Sequence, residues 1–182
     1  MTTILYKKWE YLAWDKRFTW GICSVWITED KIMEYIIEKK NVDDNGYPIF
    51  ITKKPYINKV IIWYAGNHLL TNLKRNILTK VFSNLKLWEL EDKLYEFQKE
   101  LLKYSDDFGI ILIIIYDWKE YAYHICDKYI EDIQDNYAAM WTGSVYAEWI
   151  MLLDNNCPIW KIFELVSSKD IKTSADYNII KL

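Results

Sequence analysis

The chain has 182 residues, the length of one domain, and 52% of them are hydrophobic, so it can bury a substantial core. Its formal net charge of −3 is spread along the sequence without a basic run, which argues against a nucleic-acid partner. Three cysteines without a C-x-x-C pair argue against a disulfide scaffold and favour a reducing, cytoplasmic location. The longest aliphatic run, residues 110–115, is too short to span a bilayer. We therefore expect a soluble, single-domain protein.

The first part of the chain predicts mainly β-structure. Short apolar and aromatic runs at residues 4–6 and 11–14 predict a hairpin that begins close to the N-terminus and lies at a sheet edge. Residues 22–51 contain further β-type residues around the dense turn signal of residues 41–46. We interpret this stretch as an insertion that forms an extra hairpin or excursion.

The middle of the chain changes from strand to helix and back to strand. A second tight hairpin is predicted with its turn at Asn58-Lys59 and its end at Ala65-Gly66. Apolar residues then repeat at helical spacing over residues 69–82 and 87–102, which predicts two amphipathic helices. Residues 109–125 return to the pattern of a buried β-hairpin.

Two further helices are predicted in the last part of the chain. They cover residues 144–153 and 159–166, because Asn155 to Pro158 interrupts the helical pattern and a proline is well suited to the start of the second helix. The tail, residues 171–182, has a strand-like pattern again. This order of strands and paired helices favours an α+β fold with two antiparallel sheets packed face to face between outer helix layers.

Four short segments, in the same order along the chain, resemble proteasome β-type subunits and the bacterial peptidase HslV. Met1-Thr2-Thr3-Ile4 resembles the mature Thr-Thr-Ile start of that family, and residues 15–21 match its D-x-R-x-T-x-G stretch on the second strand. Tyr64-Ala65-Gly66 resembles the F-A-G segment, residues 141–147 resemble G-S-G-x-x-Y-A, and residues 170–174 resemble D-x-x-S/T-G. Trp141 stands where the family usually has glycine.

The resemblance implies a single N-terminal nucleophile (Ntn) hydrolase domain over residues 1–182, with a four-layer αββα sandwich and an insertion around residues 22–51. It also implies that Thr2, exposed by removal of Met1, is the nucleophile. A threonine hydroxyl is a weak nucleophile, but an N-terminal residue carries an α-amine whose unperturbed pKa of about 7.7–8.0 allows it to accept the proton. One residue can thus be nucleophile and base.

The resemblance further implies a lysine that lowers the pKa of the Thr2 hydroxyl and amine, because a nearby cation favours their less positive forms. Counting back from the predicted strand at Ile57 puts this lysine at Lys53; a slip in register would put it at Lys54. The spacing from Asp15 favours Lys31 instead if no insertion precedes it. Asp15 is expected to pair with the lysine and keep it charged.

The remaining expected site residues surround this group. Gly66 would offer its backbone N–H to the developing oxyanion. Thr142, Asp170 and Thr173 would form a hydrogen-bond network around Thr2. Arg17 and Thr19 are expected on the same strand face as Asp15. Substrate-binding residues implied by the family pattern are Thr19 and Tyr64.

No metal or other cofactor is expected, because His68 and His124 lack Cys or carboxylate partners at ligand spacing. The sequence thus predicts a cytoplasmic threonine endopeptidase that cleaves peptides or unfolded proteins inside a ring of identical subunits, with an ATP-dependent unfoldase as a possible partner. Two alternatives stay open. One is an Ntn amidohydrolase that acts on a small molecule, since a fold does not fix its substrate. The other is an inactive, proteasome-like structural or interaction subunit.

Overall fold

The computed structural model describes residues 3–20, 23–26, 32–37, 58–66, 71–83, 85–106 and 108–182. The chain divides into two compact units, one formed by Met1–Asp30 with Ile133–Leu182 and the other by Lys31–Asp132. Every strand pairing among the described residues is antiparallel. Helices pack on the sheet in each unit. The mixed α+β class predicted from the sequence is therefore confirmed.

The first unit contains a four-stranded sheet in the order β10-β1-β2-β11. Leu5, Ala13 and Ala139 lie on the sheet face that packs against α3 and α4, where Phe163 and Val166 complete a buried core. The predicted first hairpin and both helices are confirmed. The elements are β1 (Ile4–Lys7), β2 (Tyr11–Asp15), β10 (Tyr137–Met140), β11 (Tyr177–Lys181), α3 (Ser144–Leu153) and α4 (Ile159–Lys169).

The first strand is not at a sheet edge, so that expectation was wrong. β1 pairs with β2 on one side and with β10 on the other. β10 went unpredicted because it has only four residues, two of them alanine, which has a weak preference for strands. The start of β1 is therefore held between two neighbouring strands.

The chain bends at Lys16, and this bend separates two groups of residues that were expected to share one strand. Asp15 ends β2, whereas Arg17 and Thr19 belong to a new strand in a separate two-stranded sheet. The expectation that Asp15, Arg17 and Thr19 lie on one strand was therefore wrong. The two strands of this sheet are β3 (Arg17–Trp20) and β4 (Cys23–Trp26).

The second unit contains a five-stranded sheet in the order β5-β6-β7-β8-β9. One face packs on two helices through a core that includes Phe82 and Phe97, with ring centroids 5.5 Å apart. A short 3₁₀ turn at Leu87–Glu89 leads into the second helix. The elements are β5 (Ile32–Ile37), β6 (Asn58–Gly66), β7 (Phe108–Tyr116), β8 (Lys119–Cys126), β9 (Ile130–Asp132), α1 (Thr71–Phe82) and α2 (Leu90–Leu102).

The helices and the β7–β8 hairpin are confirmed, and the hairpin turns at Asp117 and Trp118 with φ of 48° and 64°, as a two-residue primed turn requires. The predicted turn at Asn58-Lys59 is wrong, because both residues lie in β6, which pairs with β5 and β7. β5 also comes from the stretch interpreted as an insertion, so that stretch supplies a strand of the five-stranded sheet.

Within the described ranges, no helix is long and apolar enough to cross a membrane.

Candidate active site

Four chain segments meet at one end of the sheet in the first unit. Thr3 immediately precedes β1, Asp15 ends β2, residues 141–143 form the turn after β10, and residues 170–173 follow α4. The β-ladder explains this meeting, because Ile4 is paired with Trp14 in β2 and with Met140 in β10. The residues just beyond those pairs are therefore neighbours at the same end of the sheet.

Thr3 is the centre of this cluster and is completely buried. Its backbone N–H donates to Asp15 Oδ2 at 2.5 Å, and its carbonyl accepts from the Asp15 N–H at 3.1 Å. Its Oγ1 accepts from the Gly143 N–H at 3.1 Å and lies 2.5 Å from Thr173 Oγ1. The backbone and side chain of Thr3 are thus both held by hydrogen bonds.

The direction of the hydroxyl hydrogen bonds follows from Asp170. Thr173 Oγ1 donates its one proton to Asp170 Oδ2 at 2.6 Å, so it must accept from Thr3. The order is therefore Gly143 N–H to Thr3, the Thr3 hydroxyl to Thr173, and the Thr173 hydroxyl to the Asp170 carboxylate. We call this series the threonine relay. Such hydrogen bonds in series polarise and strengthen one another.

Asp170 is ionised at the end of the threonine relay. Burial alone would raise its pKa, but hydrogen bonds from the Thr173 hydroxyl and the Lys172 backbone N–H, with a contribution from Thr142, outweigh burial and lower the pKa of Asp170. The Lys172 N–H donates to Oδ1 at 3.0 Å, so each carboxylate oxygen accepts one of these bonds. This local turn gives the segment after α4 a defined shape.

Position 143 has no room for any side chain, so only glycine fits there without displacing its neighbours. A Cβ there would lie 2.5 Å from Val166 Cγ1 and 2.9 Å from Thr173 Oγ1, and closer still to Thr3 Oγ1. All of these distances are shorter than real side-chain contacts allow. The glycine therefore permits the β10–α3 turn to approach the threonine relay.

Trp141 begins the same turn in the left-handed region, with φ of 74°, where glycine is favoured. A non-glycine residue in this region costs about 1–2 kcal/mol. Trp141 Nε1 and Thr142 Oγ1 are buried, and neither has a hydrogen-bond partner among the described residues. Thr142 still contributes to the low pKa of Asp170, so the two groups are close without a well-formed hydrogen bond.

The expected site residues fall into three groups. Asp15, Thr142, Asp170 and Thr173 lie together around Thr3. Gly66 and Tyr64 end β6 in the second unit and Thr19 lies in β3, so their roles stay predictions. The expected nucleophile, Thr2, and the three lysine candidates lie outside the described residues, so these expectations stay predictions; the lysines are Lys31, Lys53 and Lys54. The turn predicted at residues 41–46 lies outside them as well.

The sequence pattern did not identify Thr3 or Gly143 as site residues. One signal was available for Thr3: in a strand, residues two apart share a face, and Leu5 lies on the face that α3 and α4 cover. A hydroxyl on that face needs a hydrogen-bond partner inside the protein. Gly143 stands at the second glycine of the G-S-G-x-x-Y-A segment, but the resemblance gave it no role, and a glycine before a helix is common. No cluster of three or more potential metal ligands occurs in the described part of the chain.

Solved structures with a similar fold cover nearly the whole chain. HslV from Trypanosoma brucei has a TM-score of 0.61 at 15% identity, over 98% of this chain and 97% of that chain. Thiobacillus denitrificans BPH in complex with epoxomicin has a TM-score of 0.59 at 12% identity, over 99% and 97% of the two chains. The helical assembly of the Anbu complex from Pseudomonas aeruginosa gives 0.64 at 10% identity, over 100% and 81%. No protein-family model and no curated protein matches the sequence. The chain therefore has the fold of HslV-like and Anbu-like proteins.

Gly143→Ala tests the close packing of the turn. The added methyl group must displace Val166 or a threonine hydroxyl, so we expect a loss of about 1–3 kcal/mol in the free energy of unfolding. Chemical denaturation measures this loss. Ser168→Thr, which adds a methyl group at an exposed position of α4, is the control and should change stability by less than about 0.5 kcal/mol. Equal stability of the two variants would contradict the packing described for Gly143.

Proposed function

We propose that this protein is a threonine peptidase of the proteasome/HslV type, with Thr2 as its N-terminal nucleophile after cleavage between residues 1 and 2. The observation that carries the proposal is the cluster around Thr3. Asp15, Thr142, Asp170 and Thr173 were predicted from three separate sequence segments, and they meet beside the residue that follows Thr2. A chance fold similarity would not be expected to bring these particular residues together.

In the proposed reaction, the bonds that form and break involve only Thr2, the substrate and water. The Thr2 hydroxyl attacks the carbonyl carbon of the substrate amide while its α-amine accepts the hydroxyl proton. The resulting oxyanion is stabilised by backbone N–H groups, for which Gly66 is the candidate. Collapse breaks the C–N bond, the leaving amine takes the proton, and water hydrolyses the ester on Thr2 to release the acid. Thr19 and Tyr64 are the proposed contacts to the substrate.

A cation beside Asp15 is part of the proposal. Asp15 is completely buried, and burying a carboxylate is costly unless a cation and hydrogen bonds compensate its charge. The backbone N–H of Thr3 donates a hydrogen bond to this carboxylate. The burial of Asp15 therefore supports a lysine close to the N-terminal residue, as the family pattern requires.

The strand order bears on which lysine this is. In the family the lysine begins the strand before the one that ends in Ala-Gly. Among the described residues, β6 ends in Ala65-Gly66 and the strand that precedes it is β5, which begins at Ile32. Lys31 directly precedes this strand, so β5 favours Lys31 over Lys53 and Lys54. The sequence-based choice of Lys53 stays a prediction that substitution of each lysine can test.

The similar solved structures support the proposed reaction class and a homo-oligomer. HslV is a peptidase of the family that the motifs resemble, BPH is described in complex with epoxomicin, and Anbu forms a helical assembly. Both faces of β7 are buried, because Ile110 and Leu112 pack on the helices and Ile111 and Ile113 are equally inaccessible. The four-layer αββα sandwich is part of the proposal. A cytoplasmic location and an unfoldase partner complete the proposal.

Substitution of Thr2 tests the nucleophile. Thr2→Ala removes the hydroxyl, so hydrolysis of short fluorogenic peptides should fall by about 10³-fold or more, whereas Thr2→Ser keeps a hydroxyl and should retain measurable activity. Initial rates at saturating substrate provide the comparison. A Thr2→Ala variant as active as wild type would contradict the proposal. Turnover of small amides but not of peptides by the wild type would favour the small-molecule amidohydrolase.

Three lysine variants test the assignment of the cation. Lys31→Ala should lower kcat about a hundredfold or more because the α-amine and hydroxyl lose their charged neighbour, whereas Lys53→Ala and Lys54→Ala should retain most activity. The same peptide assay, with circular dichroism as a check on folding, measures the effect. Loss of activity in Lys53→Ala together with full activity in Lys31→Ala would restore the sequence-based choice of Lys53.

A homo-oligomer, arranged as a closed ring, is the expected assembly. α3 exposes apolar side chains that a partner subunit could cover, with exposed fractions of 59–80% at Val145, Trp149, Leu152 and Leu153. Multi-angle light scattering should give a mass that is a whole multiple of the subunit mass. Trp149→Glu should reduce that mass, whereas Glu148→Gln on the same helix should not. A monomer at micromolar concentration would contradict a chambered peptidase.

A further inference from the structure

The region around Thr3 carries one inference beyond the proposed reaction, and the inference rests on the proposed function. We propose that Thr3 is the positioning residue that fixes the nucleophile. Through its hydroxyl, it fastens the β10–α3 turn and the segment after α4 to the start of β1, and it thereby fixes the backbone nitrogen to which residue 2 is joined.

The first support is the number of independent hydrogen bonds at Thr3. Its N–H and carbonyl are both bonded to Asp15, and its hydroxyl accepts from Gly143 and donates to Thr173. Every polar group of this buried residue is therefore engaged. The amide nitrogen bonded to Asp15 is also the atom to which the carbonyl carbon of residue 2 is attached, so hydrogen bonds hold the atom that carries the nucleophile.

The second support is that Thr3 cannot itself be the nucleophile in this arrangement. Its side chain is completely buried, its hydroxyl proton is donated to Thr173, and its nitrogen is an amide that donates to Asp15. An N-terminal nucleophile needs an accessible hydroxyl and a free amine. Thr3 can therefore serve the reaction only by holding its neighbour.

The third support is the direction of the threonine relay. Because Asp170 is an acceptor and Thr173 has one proton, the Thr3 hydroxyl is the group that connects the Gly143 N–H to the Thr173–Asp170 pair. Without this hydroxyl, Gly143 has a buried N–H without its acceptor and Thr173 loses its donor. Removing one partner of a buried hydrogen bond leaves the other with the full cost of lost hydration. The turn and the segment after α4 should then separate from β1.

Thr3→Val is the direct test, since valine has the shape of threonine without the hydroxyl. The turnover number should fall about tenfold or more while KM changes less than about twofold, because binding is retained and the placement of the nucleophile is lost. Thr3→Ser restores a hydroxyl and should recover at least half of the wild-type turnover number. Intact mass must first establish that all variants have the same N-terminus.

Hydrogen exchange, measured by mass spectrometry on the full-length protein, provides a second readout that does not depend on activity. The amide hydrogens of residues 141–143 should exchange about tenfold faster or more in Thr3→Val than in wild type, and at the wild-type rate in Thr3→Ser. Thr79→Val removes a hydroxyl at an exposed position of α1 and should change neither exchange in that turn nor turnover.

The outcomes separate the inference from the proposed function. Active wild type with a Thr3→Val variant of equal turnover number overturns the inference and leaves the peptidase in place. Wild type without hydrolase activity contradicts the peptidase, and the anchoring by Thr3 is then judged on exchange alone. Unchanged exchange of residues 141–143 in Thr3→Val would overturn the anchoring in either case.

Discussion

A hydroxyl on the helix-covered face of a sheet has to find its hydrogen-bond partners inside the protein, and the arrangement of the candidate site depends on how Thr3 meets this requirement. Its partners come from the turn before α3 and, through Thr173, from the segment after α4. Neither segment is close to Thr3 in sequence. The requirement to satisfy one buried group therefore brings together the ends of three elements, and it does so beside the residue proposed to perform the chemistry.

The same requirement explains two unusual positions in the turn after β10. Gly143 has to lack a side chain because the Thr3 and Thr173 hydroxyls and Val166 occupy the space where one would lie. Trp141 adopts a left-handed conformation that a glycine would adopt at lower cost. A local cost of this kind persists only where surrounding packing determines the conformation. The turn is thus shaped by the hydrogen bonds that it makes rather than by its own preferences.

Much of the fold could be predicted from local pattern, and the misses have identifiable causes. The four helices and the β7–β8 hairpin have long stretches of regular apolar spacing, which is a strong signal. β10 is short and rich in alanine, so its pairing with β1 went unpredicted, and the first strand was expected at an edge. Asn58 and Lys59 have a composition typical of turns, but they lie in β6, where pairing with β5 and β7 stabilises the extended conformation instead.

The candidate site could not be predicted from local pattern in the way that the helices and strands could. Asp15, Thr142, Asp170 and Thr173 were identified by their resemblance to a family pattern, because periodicity cannot indicate a contact between residues 170 positions apart. Thr3 could be identified only from the structure, because its importance lies in the groups that it contacts, whereas a threonine in itself indicates no role. A precise site supported by strands and helix ends is what pre-organisation of a nucleophile requires.

The central claim is that residue 2 carries both a nucleophilic hydroxyl and a free α-amine, and a peptide epoxyketone tests both groups in one reaction. Such a reagent has two electrophilic centres, one for the hydroxyl and one for the neighbouring amine. After incubation and digestion, tandem mass spectrometry should find the adduct on a peptide that begins at Thr2, with both Thr2 groups modified. An unmodified N-terminal peptide that retains Met1, or an adduct on another residue, would contradict the account.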